Sequence, residues 1–433
     1  MALPPLGHVD RHDDWHANCI SIVTMLNTRK KLRIAQVAPL YESVPPRLYG
    51  GTERVVSYLT EELVARGHDV TLFASGDSVS RARMIAPCEQ ALWLTECSDP
   101  LPYHFKMLEE VYRRRHEFDF VHFHVDFQHF RAAPDHRLNH ATTLHGRLDI
   151  PGLDQQLVEF SEMPLVSISM QQRAPLANAR WVANIAHGLP LDLHHVGQGG
   201  DYLAFVGRLC PEKRVDRAIE IAERAGMPLK IAAKIVPTEI AYFESVVKPL
   251  FARPQVEFLG ELGEADKGKL LRNARALLFP IDWPEPFGLV MIEAMACGAP
   301  VVAFRSGSVP EVIDPGLTGF IVDSIDAAAA AVDCCSLLSR QAIRNRFEER
   351  FSAARMADDY VDLYHHLGCA QSPSTAPFQP ARARANAADG NLATAGTVAA
   401  RTMAQRGAVL SPAPRNYGRW YTTRRSPGDG HGR

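Results

Sequence analysis

This 433-residue sequence predicts an α/β fold with two tandem Rossmann-like domains. Three observations lead there. A succession of strand, loop, helix and strand begins at Lys31, the alternation breaks at GLPLDLHHVGQGGD (188–201), and a second strand and helix series of similar length follows. The length agrees, since about 100 to 200 residues per domain allows two or three domains.

In the first series KLRIAQVAPL (31–40) reads as a strand and YESVPPRLYGG as the loop after it. In TERVVSYLTEELVARGH, Val55, Leu59 and Leu63 recur every four residues while Glu61, Glu62 and Arg66 face away, the pattern of an amphipathic helix laid on a sheet. DVTLFASG (69–76) returns as a strand, and further apolar strands fall at Phe120–Val125, Ala141–Leu144 and Leu165–Ser169. The second series places strands at Tyr202–Leu209, Leu229–Ile235, Val256–Gly260, Ala276–Ile281, Pro300–Phe304 and Gly319–Val322. An amphipathic helix over Ser352–Leu367 closes it, with Met356, Tyr360 and Leu363 on the buried face and Leu367 extending it.

The expected boundaries are therefore 30–190 for the first domain, 191–351 for the second, and 352–369 for a final helix. Residues 1–29 lack either periodicity and are expected to be a disordered extension; Met25, shortly before the first strand, is an alternative start. Residues 370–433 are expected to be a disordered tail, since only five of the last 63 residues are Leu, Ile, Val or Phe.

The composition, 46% apolar and 22% charged, belongs to an ordinary globular protein, and 47 basic against 49 acidic residues argue against a nucleic-acid binder. The charge is uneven: residues 371–433 hold nine Arg and two Asp, or +7. Such a tail would make at most weak, salt-sensitive contact with an anionic surface such as the inner membrane face. Eight cysteines show no C-x-x-C spacing, and no stretch approaches the ~18 apolar residues of a membrane helix, so a reduced, cytoplasmic setting is expected.

Several segments carry chemistry. Gly50 and Gly51 precede a helix at the end of the first strand's loop, where two glycines let backbone approach a phosphate and Thr52 could cap the helix; a plain glycine turn is the alternative. In the second half GRLCPEKR (207–214) places Arg208 and Lys213 at a strand's C-terminal edge, suited to a diphosphate or simply solvated. PEPFGLVMIEAMACGAPVV (284–302) puts Glu285 in a loop and Glu293 on the helix that Gly288 opens, with Phe287, Gly288 and Leu289 offering backbone N–H groups. His122, His124 and Asp126 in VHFHVD would share one strand face, as cleft lining or packing in preference to a metal site.

Taken together, G-G after the first strand, G-R-L-x-x-E-K after the linker and E-P-F-G-L-x-x-x-E resemble the retaining family 4 glycosyltransferases of GT-B fold, over about Leu32 to Leu367. The resemblance implies a cleft between the two domains, no metal or other cofactor, and a nucleotide-sugar donor. Glu285 would bind the sugar, Glu293 the ribose, Arg208 and Lys213 the diphosphate, with Gly50 and Gly51 approaching from the other domain. His145 in TTLHG matches the family's histidine and would lie near the reacting sugar, so His145 and Glu285 are the catalytic candidates. KIAAKIVP (230–237) departs from the glycine-rich turn of many relatives, with Lys234 a substitute, and Arg214 replaces a small residue, a change expected to matter little. The function implied is transfer of a hexose, UDP-glucose the first guess, to an unknown acceptor that could be a carbohydrate, a lipid-linked group or a small molecule. A GT-B epimerase or phosphorylase, or a non-catalytic nucleotide-sugar-binding protein, is the alternative.

Overall fold

A computed structural model describes residues 30–369, apart from residue 96 and residues 134–137. The expected N-terminal extension, the basic tail and the question of Met25 lie outside the described residues.

The first half forms a seven-stranded, all-parallel sheet of order β3-β2-β1-β4-β5-β6-β7, made of Arg33–Val37, Asp69–Phe73, Arg83–Ile85, Phe120–Phe123, His140–Thr143, Leu165–Ser167 and Trp181–Asn184 for β1 to β7. Strands β3 and β7 were not foreseen. They are three and four residues long, too short for periodicity to register. Helix α1 (Gly51–Ala65) buries Val55, Leu59 and Leu63 against the sheet, and α2 (Leu101–Arg113) covers the other side with Met107, Leu108 and Val111.

The second half is a six-stranded parallel sheet of order β10-β9-β8-β11-β12-β13: β8 Leu203–Arg208, β9 Leu229–Lys234, β10 Val256–Gly260, β11 Ala276–Phe279, β12 Val301–Phe304 and β13 Gly319–Val322. Helices α3 (Val215–Arg224), α4 (Glu264–Arg272), α5 (Leu289–Ala296), α6 (Ile325–Cys334) and α7 (Arg340–Phe351) flank it. In both sheets the strand order reverses direction beside the first strand, between β1 and β4 and between β8 and β11. Those switch points open crevices at the C-terminal strand ends, and the candidates lie in the loops after β1, β5, β8 and β11 or on helix α5.

The last helix, α8 (Ala353–Cys369), lies against α1 and the first sheet. Met356, Tyr360 and Leu363 are fully buried, and Leu367 packs at the margin. Tyr364 stacks on Phe120 with ring centroids 4.5 Å apart, and its hydroxyl meets His122 Nδ1 at 2.7 Å and accepts from Gln36 Nε2 at 3.2 Å. The Tyr360 hydroxyl meets Thr143 Oγ1 at 2.9 Å. Arg66 of the first half donates to the Ala354 carbonyl at 2.7 Å and pairs with Asp358 at 3.1 Å. One apolar core runs through both halves and this helix, joining Ile34, Leu59 and Phe120 to Leu277, Met291 and Tyr360.

Candidate active site

A cleft of about 530 Å³ is lined by residues of both halves: Gly50, Gly51 and His145 from the first, Arg208, Lys213, Glu285, Phe287, Gly288, Leu289 and Glu293 from the second. That volume is ordinary for a small-molecule site. Gly51 faces the start of α5 directly: a Cβ added there would lie 3.6 Å from the Leu289 side chain.

On the second-half wall both candidate carboxylates are already held by a lysine. Lys213 Nζ forms a close ion pair with Glu285 Oε2, which also accepts from Trp283 Nε1 at 3.0 Å. Lys267 Nζ reaches Glu293 Oε1 at 2.7 Å and Glu264 at 3.2 Å. An ammonium carries three N–H donors, so Lys213 keeps capacity for a second anion while it fixes Glu285. Arg208 lies 3.6 Å from Glu212. Burial alone would push the Glu264 carboxyl up, but the His194, Lys267 and Arg54 groups around it outweigh burial and hold it down to about 2.

The backbone beneath these groups is tightly specified. Gly288, at φ 78°, caps α5, and a Cβ there would meet the Met291 side chain at 2.8 Å. Gly307, at φ 52°, packs under the Glu285 loop so closely that a Cβ would lie 2.3 Å from the Glu285 nitrogen. The loop is further held by Ser306 Oγ donating to Trp283 O at 2.5 Å and Ser308 N to Glu285 O at 2.9 Å. Helix α5 itself begins at Leu289, so the Phe287 amide precedes its first turn; the Phe287 ring is buried against His187 at 4.9 Å.

The first-half wall contributes a chain of imidazoles. His145 Nε2 meets His124 Nδ1 at 2.9 Å, His124 Nε2 meets Gln36 Oε1 at 2.8 Å, and His187 stacks on His145 at 5.2 Å. His145 Nδ1 is buried without a hydrogen-bond partner in a residue that lines the cleft. Burial drives the His145 imidazole down to about 3 and those of His122, His124 and His187 far below their usual value, so all four are neutral near pH 7.

Both halves match glycosyltransferase family models. Residues 49–196 match that described as Glycosyltransferase Family 4, and residues 195–352 match that described as Glycosyl transferases group 1. The chain carries both domains of the GT-B glycosyltransferases. A D-inositol 3-phosphate glycosyltransferase of Corynebacterium kroppenstedtii is 35% identical over 147 residues, 31% of this chain; the match spans 32% of that relative's length. An O-antigen chain mannosyltransferase C of Escherichia coli is 23% identical over 77% of this chain and 98% of its own. Among solved structures, the Anabaena protein Alr3699/HepE in complex with UDP-glucose has the same fold, with TM-score 0.59 and 17% identity, over 78% of this chain and 99% of its own.

In this GT-B chain the ten candidates named from sequence line one cleft, and three details of the sequence reading are corrected. Thr52 does not cap α1: Gly50 is the N-cap, with no side-chain hydrogen bond. His122, His124 and Asp126 do not share a strand face, because β4 ends at Phe123 and Asp126 turns into a left-handed conformation, φ 48°. His122 is wholly buried between Tyr364 and Thr143, His124 lines the cleft, and among the described residues no group of three His, Cys, Asp or Glu is placed to hold a metal. Arg214 is more than a neutral replacement. Its backbone is left-handed, φ 53°, and its guanidinium bridges Asp216 at 2.8 Å and Asp282 at 3.0 Å, fastening the loop after β8 to that after β11. Sequence reasoning also passed over Lys267, Trp283 and Arg54, whose partners lie 26, 2 and 210 residues away. Only the tryptophan, one residue ahead of the 284–302 segment, carried a local signal.

Proposed function

We propose that the protein transfers a hexose from a nucleoside diphosphate sugar to an acceptor in the cleft, with retention at the anomeric carbon and UDP-glucose as the first donor to test. The observation that carries this reading is the convergence of Arg208, Lys213, Glu285 and Glu293 with Gly50, Gly51 and His145 on one cleft lined by the C-terminal strand ends of both sheets.

Arg208 and Lys213 would neutralise the diphosphate, together with the first turn of α5 and the glycine loop, where helix N-termini favour anions. These groups supply the stabilisation of the leaving group that a divalent ion gives elsewhere, so metal-independent transfer is expected. Glu293, with Oε1 held by Lys267, would present its other oxygen to the ribose hydroxyls. Glu285, oriented by Lys213 and Trp283, would bind sugar hydroxyls and set the anomeric carbon in line. Neutral His145 would hydrogen-bond the sugar through its free Nδ1. The acceptor hydroxyl would attack from the leaving-group face while a phosphate oxygen takes its proton, the course implied by the resemblance to retaining family 4 enzymes.

Calorimetry with UDP, GDP and ADP sugars tests the donor half of this reading, since ligand at about 100 times its dissociation constant stabilises a protein by about 2.7 kcal/mol. Failure of all three classes to bind or to stabilise the protein would overturn it.

A further inference from the structure

On the donor reading Glu293 takes the ribose, and the groups that aim its carboxylate run back to the other half of the chain. Lys267 Nζ, on α4, holds Glu293 Oε1 at 2.7 Å and reaches Glu264 Oε2, one turn earlier, at 3.2 Å. The same Glu264 oxygen receives Arg54 Nη1 of α1 at 2.5 Å, while His194 Nε2 of the linker lies 3.1 Å from Oε1. Arg54 Nη2 in turn donates to the Leu48 carbonyl at 2.5 Å, in the loop that carries Gly50 and Gly51. Arg54 therefore fastens the glycine loop at one end and the carboxylate behind Lys267 at the other.

These four side chains are between 5% and 21% exposed, so water screens their charges only in part. Two cations face two carboxylates, and the set balances only with Arg54 in place. Burial alone would lower the Arg54 guanidinium, but Glu264, Tyr58 and Glu293 around it raise it above its ordinary value, so it feels Glu293 as well as its direct partner. Without Arg54 a single ammonium would serve two buried carboxylates, and Lys267 would be drawn from Glu293 toward Glu264. Glu264 is anchored within its own half. Gly268, on the next turn of α4, packs so closely on the linker that a Cβ would lie 2.7 Å from His194 Nδ1, and Arg344 Nη1 donates to the His194 carbonyl at 2.7 Å. Helix α4 and the linker thus form a fixed base on which Arg54 docks from the first half.

We propose that Arg54 and Glu264 are positioning residues for the ribose site: through Lys267 they aim Glu293, so that ribose hydroxyls are fully recognised only when the glycine loop of the first half is docked on α4. Arg54 also lines the cleft, and direct contact with the diphosphate is the rival account. The test compares, by calorimetry on the full chain, the nucleoside diphosphate that binds best with its 2′,3′-dideoxy form. The parent should prefer the ribose form by about ten- to hundredfold, the range of hydrogen bonds to a charged group. Arg54→Met should cut that preference to about threefold or less, Glu264→Gln should do the same, and Arg54→Lys, which keeps the charge, should retain most of it. In a Glu293→Ala background Arg54→Met should remove no further preference. Each ratio is taken within one variant, so a general loss of folded protein does not imitate the effect. A preference left unchanged in Arg54→Met overturns the inference, whether both ligands lose affinity equally, as a phosphate contact would have it, or neither does. No ribose preference in the parent, or none lost in Glu293→Ala, overturns the ribose assignment and the inference with it.

Discussion

On the proposed reading Glu285, paired with Lys213, holds the sugar and Glu293, paired with Lys267, the ribose, and single substitutions can distinguish these roles. Glu293→Ala should weaken binding of the free nucleoside diphosphate by about 1.5 to 3 kcal/mol, because the ribose is common to donor and product. Glu285→Ala removes the partner of Lys213 while leaving the ribose contact in place, so the same titration should show undiminished nucleotide affinity and lower turnover of the intact donor. Equal losses of nucleotide affinity in the two variants would contradict the assignment. A third carboxylate, Glu53 at the start of α1, is raised to about 7 by burial. Its folded-state value exceeds its unfolded one, so ionising it opposes folding: the cost is absent below about pH 4.5, grows as pH rises and is complete above about pH 7. Glu53→Gln should therefore melt at nearly the same temperature as the parent at pH 4.5 and be more stable at pH 8, by on the order of 3 kcal/mol. A difference independent of pH would show that Glu53 is not the titrating group.

At the scale of elements, α8 and strands β4 and β5 share one polar seam inside the core, from Tyr364 through His122 to Thr143 and Tyr360. Tyr364→Phe keeps the ring on Phe120 but strips His122 and Gln36 of a partner, and chemical denaturation should register a loss of about 1 to 3 kcal/mol. The imidazoles of this seam and of the cleft are held below their ordinary value by burial, so protonation favours the unfolded chain. Stability should fall as pH drops below about 6.5, and replacement of His122 by Gln should flatten that fall. The helix face of Met356, Tyr360 and Leu363 was legible in the sequence because a spacing of four and then three residues between apolar positions survives without any knowledge of the partner. The hydroxyls of Tyr360 and Tyr364 were not, since their partners come from strands more than 200 residues earlier. Strand β7 was missed for a related reason: its position is set by β6 beside it, while its four residues carry too little pattern of their own.

Across the whole molecule, the two halves meet through contacts that flank the cleft. Arg54 pairs with Glu264, the Tyr49 amide donates to Glu261 at 3.0 Å, and the Met170 and Gln171 amides donate to the Glu311 carboxylate at 2.7 and 2.8 Å. Donor bound between the glycine loop and α5 should slow amide exchange in residues 48–54 as well as in 285–293, whereas protection confined to the second half would show that the first does not engage it. The motifs at 50–51, 207–213 and 285–293 could be read because each is a local backbone device with fixed residue types. The charges that trim them, Lys267, Arg54 and Glu264, follow only from the tertiary placement of α4 beside α5 and across from the start of α1. Whether this cleft is a retaining hexosyltransferase is decided by the bond it makes. With an α-linked nucleoside diphosphate hexose and an acceptor that stimulates nucleoside diphosphate release, proton NMR of the product should show one new α-glycosidic linkage for each nucleoside diphosphate released. A β-linkage, or no glycosidic product from UDP, GDP or ADP hexoses at any acceptor concentration, would contradict it.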